Sequence, residues 1–139
     1  MTPTLIIDCS ITLAWCFADE TTEASAQIQD RLVDEAAIVP IHWSLEVVNV
    51  LAMAEKRNRL TAADASHFLA LLATLDIHED DETFARAFGH LPALCREYGL
   101  TSYDAAYLEL AIRRQLPLAT LDGDLRQAAT KCGIEVLGK

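Results

Sequence analysis

The chain has 139 residues, the size of one ordinary domain, and 52% of them are hydrophobic, which excludes a disordered tail or activation segment. The net charge is −10, from 21 acidic against 11 basic side chains. Taken at face value this argues against a nucleic-acid binder, whose affinity rests on clustered Lys and Arg.

Thr4-Leu5-Ile6-Ile7-Asp8 is an apolar run ending in an acid and reads as a buried strand. Met1 to Thr4 has no basic stretch, and the longest uncharged run, Ala65–Leu75, falls short of the roughly 18 residues of a membrane span. A cytoplasmic protein with no targeting signal and no membrane partner is expected. Cys9–Ala18 and Thr22–Glu35 read as helices, and Ala37–Val39, closed by Pro40, as a second strand. Trp43–Arg59 is a long apolar helix turning basic at Lys56, Arg57 and Arg59, which suits a helix C-terminus. Thr61 and Asp64 form a capping box that opens a helix to Leu75, and Ile77 marks a short third strand. Asp80-Asp81-Glu82 starts another helix, interrupted at Gly89 and Pro92 and ended by Gly99.

Thr101–Asp104 opens a helix reaching Gln115, with Arg113 and Arg114 complementing its dipole. Leu118–Thr120 is a strand, Leu121–Asp124 a turn, Leu125–Cys132 a helix stopped by Gly133, and Ile134–Val136 a last strand. Short strands alternating with helices predict a single α/β domain over residues 1–139 with a mostly parallel sheet. Cys9, Cys16, Cys95 and Cys132 show neither C-x-x-C pairing nor a His at zinc-ligand spacing, and Cys9, Cys16 and Cys95, among apolar neighbours, read as buried free thiols. His42, His67, His78 and His90 are dispersed and fit no catalytic triad.

In such a sheet, ligands bind beyond the carboxyl ends of the strands. Asp8 ends the first strand, and Glu46 lies in the first turns of the helix after the second. Asp104 lies in the first turn of the helix before the fourth strand, Asp122 follows that strand, and Asp124 comes two residues later. All five fall on one rim. Asp104, Asp122 and Asp124 each have an alternative role in helix caps and turns. Asp8 and Glu46 interrupt apolar surroundings, where an unpaired acid is costly. Converging carboxylates repel one another, and hard divalent cations relieve that repulsion through oxygen ligands. Two such ions about 4 Å apart would clamp the attacking and leaving oxygens of a phosphodiester. The acids thus predict metal-dependent phosphoryl chemistry.

Four segments carry a resemblance: Leu5–Ser10, Leu45–Leu51, Gly99–Ala111 and Leu118–Leu125. In this order and spacing the chain resembles the PIN-domain family, and within it the VapC-type ribonuclease toxins of type II toxin–antitoxin pairs. The resemblance implies a three-layer α/β/α sandwich with strand order 3-2-1-4-5, placing Asp8 opposite Asp122. It implies Asp8, Glu46, Asp104 and Asp122 as catalytic ligands of Mg²⁺ or Mn²⁺, with two ions when substrate is bound. Ser10, Thr120, Asn49 and Asp124 take supporting places, with Asn49 one turn after Glu46 and able to reach its carboxylate. The implied reaction is endonucleolytic RNA hydrolysis leaving 5′-phosphate and 3′-hydroxyl ends, which arrests translation and growth. A VapB-like antitoxin and a second copy of the chain are the implied protein partners, and a non-catalytic module binding RNA or protein is the alternative.

Other chemistries fit less well. A haloacid-dehalogenase-like phosphatase needs a second Asp where Ser10 stands, and a phosphoacceptor receiver lacks its Lys. The acidic balance also changes meaning, because the five rim acids make up half of the net charge of −10.

Overall fold

The computed structural model describes residues 1–138, and among them run five strands and eight helices. In chain order these are β1 (Pro3–Ile7), α1 (Cys9–Ala14), α2 (Glu23–Arg31), β2 (Ala36–Val39), α3 (Trp43–Lys56), α4 (Ala62–Ala73) and β3 (Ile77–Glu79). They continue with α5 (Thr83–Ala87), α6 (Leu91–Tyr98), α7 (Ser102–Arg114), β4 (Leu118–Ala119), α8 (Gly123–Lys131) and β5 (Val136–Leu137).

The strands form one all-parallel sheet in the order β3-β2-β1-β4-β5. Ile6 is paired with Ile38 on one side and Leu118 on the other. Leu5, Ile6 and Ile7 are fully buried, as a continuous apolar run must be when both faces of a strand are covered. Each such side chain contributes about 1.5–3 kcal/mol by leaving water. The helices provide the cover in two groups, α1 against α3, and α7 against α5, α6 and α8. The result is the expected three-layer sandwich.

This order creates a switch point. From β1 the chain moves outward through β2 to β3, then returns to lay β4 on the free side of β1. The crevice beyond the carboxyl ends of β1 and β4 is where an open α/β sheet leaves room for a ligand.

Several boundaries differ from the sequence reading: α2 ends at Arg31 rather than Glu35, α3 at Lys56 rather than Arg59 and α4 at Ala73 rather than Leu75, and α8 starts at Gly123 rather than Leu125. The first helix stops at Ala14 rather than Ala18, because the Thr21 hydroxyl donates to the Ala14 carbonyl at 2.6 Å and takes up a helix-end acceptor. The helix opened by Asp80 is two helices. Pro92 lies in the first turn of α6, where its missing N–H costs no helical bond, so it starts a helix instead of interrupting one. The last strand is displaced to Val136–Leu137. Gly99 ends α6 in the left-handed region at φ 65°, as expected.

Candidate metal centre

Asp8 follows β1 and caps α1, so its carboxylate is fixed at the mouth of the crevice. It is 4% exposed. Its Oδ1 accepts the Ser10 hydroxyl at 2.7 Å and the Ile11 N–H at 3.0 Å, and its Oδ2 accepts the Thr120 hydroxyl. The Leu121 N–H donates to Ser10 Oγ at 2.9 Å, and the Asp122 N–H donates to Thr120 Oγ1 at 3.0 Å. A backbone N–H can only donate, so both hydroxyls accept there and aim their own protons at Asp8. This clasp joins the end of β1 to the end of β4. It leaves Asp8 a single unengaged lone pair, on Oδ2. Burial pushes the Asp8 pKa upward, the hydrogen bonds oppose this, and the charge of Asp122 adds to the rise.

Thr120 is fully buried and pinned by its backbone. Its N–H donates to the Leu137 carbonyl at 3.1 Å, and its own carbonyl accepts Arg126 Nη2 at 2.8 Å. Gly138, at φ 105°, packs so closely that a Cβ there would lie 3.0 Å from the Thr120 carbonyl oxygen. Asp122 caps α8, its Oδ2 accepting the Leu125 N–H at 2.8 Å, which leaves Oδ1 free.

Glu46, in the first turn of α3, takes the Tyr107 hydroxyl on Oε1 at 2.6 Å. His42 Nε2 lies 3.5 Å from the same oxygen and donates to the Tyr103 carbonyl at 3.0 Å. The His42 ring stands edge-on to Tyr107, with centroids 5.3 Å apart. Asn49, one turn further along α3, is exposed and makes no hydrogen bond to Glu46 among the described residues.

Asp104 differs from the other three acids. Thr101 accepts its N–H at 3.2 Å, but its carboxylate does not return the bond, whereas Asp64 does return the bond of Thr61 at the start of α4. Among the described residues no hydrogen bond reaches the Asp104 carboxylate. Its pKa is pushed up to about 6, first by burial and then by the charges of Asp122, Asp8, Glu46 and Asp124. The five acids picked out by the sequence are therefore close enough to act on one another. Asp124 itself is exposed in the first turn of α8.

The tightest carboxylate group lies elsewhere. Among the described residues, only Asp80, Asp81 and Glu82 bring three candidate ligand atoms within 4.8 Å of one another. That group already has its cation. Arg113 grips both oxygens of Asp80, at 2.7 and 3.1 Å, and reaches Glu82 at 3.1 Å. Arg113 thus serves as an ion-pair hub, beyond the dipole role its position suggests. Among the described residues the rim acids have no Lys or Arg partner, and no three of them bring ligand atoms within 4.8 Å of one another.

The donor set suits a hard divalent cation. Asp8, Glu46 and Asp122 each retain free oxygen lone pairs beside half-buried Asp104, and every donor is oxygen. The Cys9 thiol, close enough to respond to Glu46 and Asp8, is pushed up to about 12, chiefly by burial, and keeps its proton. None of the four cysteines is paired.

A family model of the PIN domain matches residues 5–131. The chain belongs to the PIN-domain family. PIN domains are generally metal-dependent nucleases. Solved structures share this PIN fold. PAE2754 from Pyrobaculum aerophilum aligns with a TM-score of 0.71 at 21% identity, covering 96% of this chain and 83% of its own. FitAcB from Neisseria gonorrhoeae gives 0.63 at 17% identity, covering 95% of each chain. VapC20 from Mycobacterium tuberculosis, described as a toxin that cleaves the sarcin-ricin loop, gives 0.60 at 14%, covering 90% of this chain and 95% of its own. No curated protein matches the chain.

Tyr107 is the residue at this PIN-domain centre that the sequence reading passed over. The signal was present, since Tyr107 lies three residues after Asp104 on the same helix face, and a buried tyrosine needs a partner for its hydroxyl. Gly138 carried no such signal.

Proposed function

We propose that this protein is a Mg²⁺- or Mn²⁺-dependent endoribonuclease, the toxin of a type II toxin–antitoxin pair. The observation that carries this reading is the Asp104 carboxyl, without a hydrogen bond among the described residues and pushed up to about 6 by burial and four neighbouring acids. Asp8, Glu46, Asp104 and Asp122 would hold the metal, two ions being held once RNA is bound. Bound there, divalent ions supply the Lewis acidity for hydrolysing a phosphodiester to 5′-phosphate and 3′-hydroxyl ends.

The protein's own groups do the positioning. Ser10 and Thr120 orient Asp8 through their hydroxyl protons. Asp122 is steadied by the first turn of α8 and Glu46 by Tyr107. Asp104 adds a carboxylate with both oxygens available, and exposed Asp124 adds negative charge at the rim. Asn49, exposed on α3, faces outward and serves RNA or partner contact in this reading.

The likeness to FitAcB and VapC20 supports an antitoxin partner whose tail covers the acids. The exposed Leu45, Val48 and Met53 of α3 support a homodimer. No helix is long and apolar enough to cross a membrane among the described residues, which agrees with a cytoplasmic site of action.

The test is to incubate the purified protein with RNA in Mg²⁺, Mn²⁺ or EDTA and to map 5′-phosphate ends. Wild type should cut with either ion and not with EDTA, and Asp8→Ala and Asp104→Ala should be inactive though folded. Cleavage by folded Asp8→Ala, or cleavage in EDTA by metal-free protein, overturns the assignment. Wild type that binds RNA and leaves it intact supports the non-catalytic module.

A further inference from the structure

We propose, resting on the nuclease reading given above, that Tyr103 is a substrate-binding residue, the platform on which an RNA base next to the scissile phosphate stacks.

Among the described residues, three Phe, Tyr or Trp side chains are exposed: Phe84, Phe88 and Tyr103. Phe84 and Phe88 belong to α5 and its C-terminal end, which follow the Asp80–Glu82 group. Tyr103 stands among the rim acids instead. It lies in the first turn of α7, directly before Asp104, and is 59% exposed.

An exposed ring is ordinarily loose, but this one is held. His42 donates from Nε2 to the Tyr103 carbonyl at 3.0 Å, and its ring leans on the Tyr103 ring at 57°, with centroids 5.6 Å apart. His42 precedes α3 yet makes no side-chain cap bond there, so its imidazole is spent on α7. The same imidazole lies 3.5 Å from Glu46 Oε1. Tyr103 is thus tied to two of the rim acids, to Asp104 through the chain and to Glu46 through His42. Its ring has a protein neighbour on one flank and water elsewhere. Part of the entropy of ordering it is spent before any substrate arrives, and a tyrosine has little to lose.

Charge gives this ring its use. The chain carries −10, and five of its acids gather at this rim. Like charges repel, so a phosphate chain gains nothing from these acids until divalent ions neutralise them. A base carries no charge, and its face stacks on a tyrosine ring whatever surrounds it. For a phosphodiester to reach the Asp104 carboxylate, the strand has to run along the turn that also presents Tyr103. Stacking reads no sequence, since every base has a π-face, but the base must be free of its own stack. Tyr103 therefore favours an unpaired nucleotide beside the cleaved bond.

The experiment measures cleavage kinetics of the full-length protein in Mn²⁺, on a single-stranded RNA containing one mapped cleavage site. Tyr103→Ala should lower kcat/KM about tenfold, mainly through KM, while Tyr103→Phe and Tyr103→Trp stay within about twofold of wild type. An abasic nucleotide is then placed at each position flanking the site in turn. At one position it should cost wild type about tenfold and cost Tyr103→Ala nothing further. Tyr103→Ala with the wild-type kcat/KM overturns the proposal. So does a wild type indifferent to every flanking abasic position, a result that needs no variant to fold. The rise in melting temperature on adding Mn²⁺ without RNA should be equal in wild type and Tyr103→Ala. A smaller rise in the variant assigns the ring to the metal centre and overturns base stacking. Wild-type kinetics in a Tyr103→Ala protein whose oligomeric state has changed assigns the ring to a protein interface, with the same result. The two readings fail differently. Wild type that cuts no RNA removes the nuclease and the platform together, whereas cleavage by Tyr103→Ala at the wild-type rate removes only the role of Tyr103.

Discussion

Asp104 shows how a single carboxylate can cost stability and still be retained. It is half-buried among four like charges and takes no hydrogen bond among the described residues, so its ionised form destabilises the metal-free fold. Asp104→Asn should therefore raise the melting temperature of metal-free protein at neutral pH. Screening at a half-buried site reduces the gain to about 1 kcal/mol, or a few degrees. The same variant should lose most of the stabilisation that Mn²⁺ gives wild type. A scan with and without Mn²⁺ checks both halves, and an unstabilised metal-free Asp104→Asn would show that the rim charges are already compensated. The acids were legible in the sequence because each breaks a local rule. Asp8 ends an apolar run, and Glu46 occupies a site where an apolar residue belongs. Their partners were less legible, since the bond from Tyr107 to Glu46 spans 61 positions and depends on how α3 and α7 meet.

Among the elements, strands were easier to read than helix ends. β1 and β2 announce themselves as short runs of buried apolar residues, and a strand buried on both faces needs nothing more. The order of the strands came from the family resemblance, because no local pattern states which strand lies beside which. Helix ends depend on tertiary contacts such as the Thr21 hydroxyl on the Ala14 carbonyl, and short-range patterns are blind to these. The β4–β5 pair makes the point again. Gly138 allows the chain after β5 to lie against the Thr120 carbonyl, and Thr120 in turn holds Asp8. Gly138→Ala forces a side chain into a left-handed conformation and a 3.0 Å contact, and should destabilise the protein by about 1–2 kcal/mol. Urea unfolding measures the loss. An unchanged midpoint would mean that the strand end yields without disturbing Thr120.

For the molecule as a whole, charge is sorted into two centres of opposite kind. At one, Arg113 pairs with Asp80, Glu82 and Glu109, with Arg86 beside Glu82 and Glu109, tying the end of β3 to α5 and α7. Burial alone would raise the Asp80 carboxyl, but Arg113 and Thr83 hold it below its ordinary value. A group lowered in the folded state contributes stability above its unfolded pKa and loses it as pH falls through the folded one. Stability should therefore decline below about pH 4. Arg113→Met, which strands buried Asp80, should cost about 3–5 kcal/mol at neutral pH and show a shallower decline in acid. Denaturation at pH 7 and pH 3 tests this, and equal losses at both would rule out the ion pair as the source. At the other centre the acids face one another with no Lys or Arg partner among the described residues, and the clasp from Asp8 to Thr120 spans 112 positions. A polypeptide still leaving the ribosome carries Asp8 from its first residues onward but has nothing to hold it until β4 has been made. The centre therefore stays unassembled until β4, which begins at Leu118, has been made.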